Sequence, residues 1–138
     1  LPPIVRLERQ AGGTAAIEEA ANLLSNAKFP VILSGAGVVI GGAIKDCVKL
    51  AEKLDSPVCS GYQHNDSFPG SHPLAVGPLG YNGSKAAMEL IAKADVVLAL
   101  GTIGTYLFIQ DNVDPLLGLV IGIFVSSSVN SIIKAKES

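Results

Sequence analysis

Ser34-Gly35-Ala36-Gly37 stands where an apolar run breaks, and a glycine turn of that kind frees backbone amides to meet an anion. The same turn serves equally well to let one loop pack against another. Gly41-Gly42 follows, but position 40 is Ile, so the spacing departs from the GxGxxG dinucleotide fingerprint. No Gly-Lys-Ser/Thr of a phosphate loop occurs. Two histidines, His64 and His72, lie close to Asp66, fewer groups than the three or four ligands a metal requires. Pairing Ser60, Ser67 or Ser71 with either histidine would give the nucleophile and base of a small hydrolase, yet the Gly-x-Ser-x-Gly elbow is missing. The preferred reading is that these groups fasten an irregular loop to itself. Asp95 reads as a cap or turn residue. Asp111 and Asp114 follow a strand candidate where they can meet ribose hydroxyls, although Asp114-Pro115 also makes a turn.

These residues need elements to position them. Residues 1–13 open with Pro2-Pro3, alternate in charge and end in Gly12-Gly13, and read as a linker arm. Thr14 caps an expected helix whose apolar residues Ile17, Ala20, Ala21 and Leu24 recur at helical spacing. Phe29–Leu33 is a strand candidate apolar on both faces. A second helix carries the stripe Ile44, Cys47, Val48, Ala51 and Leu54, and Pro57–Cys59 is the next strand. Residues 61–82 show no period and read as one long loop of functional or interfacial use. A third helix from about Ser84 shows Ala87, Leu90, Ile91 and Ala94 at helical spacing, and Asp95–Leu100 is the clearest strand. Tyr106–Gln110 and Gly118–Val125 are further strand candidates, and Ser128–Lys136 a closing helix.

Strand, glycine break and helix in repetition predict a three-layer, Rossmann-like α/β domain with a mainly parallel sheet of about five strands and helices on both faces. Residues 14–138 form one such domain. Ligands of these sheets bind where strands give way to helices, which places a candidate site at Ser34–Gly37 and Gly101-Thr102, with the 61–83 loop as a lid.

The 138 residues are 49% apolar and 16% charged, enough for a core and too apolar for disorder. Ten basic residues against 12 acidic ones, without a basic cluster, exclude the electrostatic footprint of a nucleic-acid binder. No uncharged apolar run approaches the ~20 residues of a membrane span. Cys47 and Cys59 form no CxxC and read as buried free thiols. No signal peptide is legible, so a reducing cytoplasm is expected. The start at Leu1 is read as a fragment trimmed on its N-terminal side.

The ordered string Phe29-Pro-Val-Ile-Leu-Ser-Gly-Ala-Gly-Val, Leu50-Ala-Glu-Lys-Leu with Pro57-Val58, Gly77-Pro-Leu-Gly and Ala94-Asp-Val-Val-Leu-Ala-Leu-Gly-Thr resembles the central domain of thiamine-diphosphate-dependent enzymes. Within them, residues 24–30, 61–73 and 77–88 are most similar to the sulfoacetaldehyde acetyltransferase family. The resemblance implies a parent transferase that converts sulfoacetaldehyde and phosphate to acetyl phosphate and sulfite. Its thiamine diphosphate and Mg²⁺ would be held by flanking domains across a dimer interface, so that this chain belongs to a homo-oligomer and is inactive alone. Related central domains hold FAD, an adenine nucleotide or nothing. By that likeness a ligand would touch Gly35, Ala36, Gly37, Gly80, Tyr81, Asn82, Gly101, Thr102 and Asp111. The chain departs from the family after Thr102, where a shortened segment lacks the arginine of flavin-binding relatives. The competing expectation is a freestanding module that binds a nucleotide or coenzyme A through the same loops.

Overall fold

A computed structural model describes residues 14–80, 82–101 and the strand 119–123. The linker arm, Tyr81, the segment 102–118 with Thr102, the strand candidate 106–110 and Asp111, and the closing helix all lie outside the described residues.

The order is α1 (Thr14–Asn26), β1 (Pro30–Ser34), α2 (Ala36–Ile40), α3 (Ile44–Leu54), β2 (Val58–Ser60), β3 (Ala75–Pro78), α4 (Lys85–Lys93), β4 (Val96–Leu100) and β5 (Leu119–Ile123). The five strands pair in the order β3-β2-β1-β4-β5, and every ladder is parallel. The α/β class, the parallel sheet and the helices on both faces agree with the sequence expectation.

Side chains on successive strand residues point to opposite faces, and the core divides accordingly. Ile32 of β1 with Leu98 and Leu100 of β4 faces α1, α2 and α3, meeting Leu24, Val38, Cys47 and Leu50. Val31 and Leu33 with Cys59 and Val97 face the other side and meet Ala87 and Ile91 of α4. All five residues of β1 and of β4 are buried, which is why both strands read as unbroken apolar runs. Each large aliphatic side chain so buried contributes about 1.5–3 kcal/mol.

Local chemistry ends the elements. The Ser84 hydroxyl accepts the Ala87 N–H at 3.3 Å and caps α4. Helix α3 ends at Asp55, in the left-handed region at φ 48°, a conformation that Asp tolerates better than most residues. Ser56 Oγ then donates to the Pro30 carbonyl at 2.8 Å and ties α3 to β1.

Two expectations need correction. Residues 61–82 are not one loop: a 3-10 turn forms at Asn65–Ser67 and β3 at Ala75–Pro78. Strand β3 escapes pattern reading because all four of its residues are half-buried at the sheet edge, so no alternation marks it. Its register shifts against β2 between Val58 and Cys59. Pro78 has no N–H, and the Ser60 carbonyl is met instead by the Leu79 N–H at 2.9 Å. The second correction is at the glycine turn, where Ala36–Ile40 forms the short helix α2 ahead of α3.

Candidate functional site

In this strand order the sequence steps from β1 to β2 on one side and from β4 to β5 on the other, which makes the gap between β1 and β4 the place where such sheets take ligands. Here that gap is filled by the protein's own backbone. Gly35 N–H donates to the Leu100 carbonyl at 2.9 Å and Gly37 N–H to the Gly101 carbonyl at 3.1 Å. A Cβ on Gly37 would lie 2.6 Å from Gly101 Cα, and one on Gly101 would lie 2.5 Å from Gly37 Cα. Gly101 also has φ +63°, which glycine adopts at no steric cost. Beside them the Gly61 N–H donates to the Ser34 carbonyl at 2.8 Å and draws the end of β2 onto the same edge.

The structure therefore brings Gly35, Ala36, Gly37 and Gly101 together at the β1–β4 edge. Gly80 and Asn82 belong to a second turn, between β3 and α4. There Gly83 N–H donates to the Gly80 carbonyl at 2.8 Å, and Gly80 packs on the Tyr62 ring, 3.4 Å from a Cβ built at Gly80. Ile40, at the third position of a dinucleotide fingerprint, is 78% exposed.

Several polar groups of residues 60–74 are spent on local structure. Ser60 Oγ donates to Asn65 Oδ1 at 3.2 Å, and Ser34 Oγ donates to the Ser67 carbonyl at 3.1 Å. Ser67 Oγ is buried without a partner among the described residues. His64 Nδ1 stands 3.5 Å from Asp66 Oδ1. His72 Nδ1 accepts the Leu74 N–H at 3.2 Å, so the neutral ring carries its proton on Nε2 and donates to Glu52 Oε1 at 3.3 Å. Both histidines thus pair with carboxylates, and no hydrogen bond among the described residues joins either to a serine hydroxyl. The geometry is that of a fastened loop.

Asp95, expected as a cap or turn residue, has a defined task at the start of β4. Its carboxylate accepts the N–H groups of Lys28 at 2.6 Å and Phe29 at 3.0 Å, joining the start of β1 to the start of β4. Partial burial pushes its pKa up, but the amides of Lys28, Phe29, Asp95 and Val96 outweigh that and hold it below the usual carboxylate value. Burial pushes the Cys47 thiol up to about 11, against a smaller opposing effect of the Ser34 hydroxyl, and the Cys59 thiol up to about 12. Both cysteines are free, buried and unsuited to nucleophilic work. Among the described residues no three His, Cys, Asp or Glu side chains converge as a metal site requires, and no helix is long and apolar enough to cross a membrane.

Residues 17–116 match the family model described as thiamine pyrophosphate enzyme, central domain. The chain is 79% identical over 102 residues to a protein named probable sulfoacetaldehyde acetyltransferase from Rhizobium meliloti (strain 1021). It is 72% identical over 102 residues to the sulfoacetaldehyde acetyltransferase of Roseovarius nubinhibens. Each alignment covers 74% of this chain and 17% of the relative, so the chain spans about a sixth of the length of these proteins. A probable acetolactate synthase large subunit from Methanocaldococcus jannaschii is 40% identical over 93 residues, covering 67% of this chain and 16% of that protein. In fold, the chain is similar to a protein described as a putative thiamin diphosphate-dependent enzyme isolated from Mycobacterium smegmatis, with a TM-score of 0.65 and 24% identity over 99% of this chain and 30% of that one.

Proposed function

Because the chain belongs to the thiamine pyrophosphate enzyme family, as its central domain, we propose that it is the architectural domain of a longer, cytoplasmic acetyltransferase acting on sulfoacetaldehyde. In this reading the domain joins two flanking thiamine-binding domains within a homo-oligomer and does no chemistry itself. The parent converts sulfoacetaldehyde and phosphate to acetyl phosphate and sulfite.

What supports the architectural role is the closed gap between β1 and β4. The Gly37 N–H, which a phosphate at this edge would need, is already given to Gly101. The described residues do not fit thiamine diphosphate and its Mg²⁺ either, because their carboxylates are dispersed and none converge on one point. The cofactor is assigned to the flanking domains, and no step of the reaction passes through this chain. A nucleotide laid over Gly35–Gly37, Gly80 and Asn82 would bury its charge against few free amides, so binding of FAD, ADP or coenzyme A has a dissociation constant on the order of 0.1 mM or worse.

The test is to supply the isolated chain with thiamine diphosphate, Mg²⁺, phosphate and sulfoacetaldehyde and to measure acetyl phosphate. None is expected. A measurable rate overturns the non-catalytic role, and micromolar affinity for FAD, ADP or coenzyme A by calorimetry overturns the architectural one in favour of a nucleotide- or coenzyme-A-binding module.

A further inference from the structure

His72 stands between α3 and the start of β3, with each ring nitrogen on a different partner. Nδ1 accepts the Leu74 N–H at 3.2 Å, and Nε2 lies 3.3 Å from Glu52 Oε1. The ring also packs edge-on with that of the buried Phe68, centroids 5.1 Å apart. The His72 side chain keeps 18% of its surface exposed, so water reaches it and a proton can arrive. Glu52 of α3 is the charged group on the ring, while the residues of β2 and β3, 58–60 and 75–78, carry no charge. Of the other charged groups of these elements, Lys49 of α3 pairs with Asp46 at 3.5 Å, and His64 and Asp66 stand 3.5 Å from each other.

The two partners favour opposite forms of the ring. A carboxylate stabilises the imidazolium, whereas the Leu74 amide needs a lone pair on Nδ1, which only the neutral ring offers. Protonation would set two donors face to face. The Leu74 amide has the weaker claim, because a hydrogen bond with an ionised partner is roughly twice as strong as a neutral one. We propose that His72 is a pH-sensitive clasp: neutral, it ties the start of β3 to α3, and protonated, it keeps Glu52 and lets the Leu74 N–H go. The release is local. The Leu74 carbonyl still accepts the Val58 N–H at 2.8 Å and the Ala75 N–H still donates to the His72 carbonyl at 2.9 Å, so β3 stays in the sheet and its first residues open. This strand is where a single lost bond is felt, since it lies at the sheet edge and all four of its residues are half-buried. The clasp is a property of the fold and independent of the parent enzyme's reaction.

The ¹⁵N-labelled full chain supplies the test. The ring nitrogen shifts of His72 should show the Nε2–H tautomer at about pH 8, and acidification to about pH 5 spans the range in which imidazoles take up a proton. Over that span the exchange of the Leu74 amide, corrected for its intrinsic pH dependence, should quicken about fivefold, as the loss of one ordinary hydrogen bond gives. The amides of β1 and β4 should not follow. His72→Asn supplies an Oδ1 that accepts the N–H two residues on, as asparagine does in turns, but takes up no proton, so its Leu74 amide should be indifferent to pH. Glu52→Gln should move the midpoint of the change to lower pH and leave the rate at about pH 8 as it was. An Nδ1–H tautomer at about pH 8, a Leu74 rate that acidification leaves unchanged, or a rise that persists in His72→Asn overturns the proposal.

Discussion

Gly37 and Gly101 meet backbone to backbone, with the Gly37 N–H on the Gly101 carbonyl at 3.1 Å and no room for a Cβ on either residue. The contact locks the ends of β1 and β4 together and withdraws an amide from the edge where a ligand would seek it.

Substituting either glycine should therefore destabilise the fold. Gly37→Ala must push apart two main chains, at a cost of roughly 1–3 kcal/mol. Gly101→Ala adds left-handed strain at φ +63° and should cost about 2–4 kcal/mol. Gly42→Ala is the control: φ is +65°, but a Cβ there meets nothing within 4 Å, so only the strain of about 1–2 kcal/mol applies. Urea denaturation orders the three, and Gly42→Ala proving the worst would refute the contact.

The two thiols should resist modification in the native protein. With pKa values pushed up to about 11 for Cys47 and about 12 for Cys59, neither is ionised at pH 8, and both are buried. Native chain should react with a disulfide reagent only at the rate of unfolding, and denatured chain should yield both thiols at once. The unfolded thiols ionise near 9.0, so this contribution to stability is complete below that pH and is lost as pH rises from about 9 to 11. A rapid stoichiometric reaction of the native chain would contradict the buried placement.

Asp95 predicts a loss at the other end of the pH scale. Its folded pKa is depressed, so the carboxylate stabilises the fold above the ordinary aspartate range and ceases to do so as pH falls through the lower folded value. Asp95→Ala removes acceptors from the Lys28 and Phe29 amides and should cost about 1 kcal/mol at neutral pH. The variant should also show a flatter stability profile on acidification than the parent chain. Parallel acid profiles for the two would count against this role.

His72→Ala should loosen the approach to β3 without unfolding the domain. The ring bridges the Leu74 amide and Glu52 of α3, and its loss removes two hydrogen bonds worth about 1–2 kcal/mol together. Hydrogen exchange should quicken at Leu74 and Ala75 while β1 and β4 stay protected. Uniform acceleration across the sheet would show a global rather than a local effect.

Some of this molecule is readable from its residues because the physics is local. Val31–Leu33 and Val96–Leu100 are continuous apolar runs since a central parallel strand is buried on both faces, and Cys47 and Ala51 recur at helical spacing because α3 lies on the sheet by one side, although the stripe read from the sequence holds the half-buried Val48 and omits the buried Leu50. Strand β3 and helix α2 were not legible, the one being a half-buried edge with a proline in it, the other a helix of five residues, too short to show a period. At the candidate site, sequence located glycines after two strands and left open whether they face a ligand or another loop. That β1 and β4 are neighbours, and that Gly37 therefore spends its amide on Gly101, was decided only in the tertiary structure. The physical reason is that a glycine permits close approach of any partner, and which partner arrives depends on strand order, a property of the whole sheet and of none of its segments.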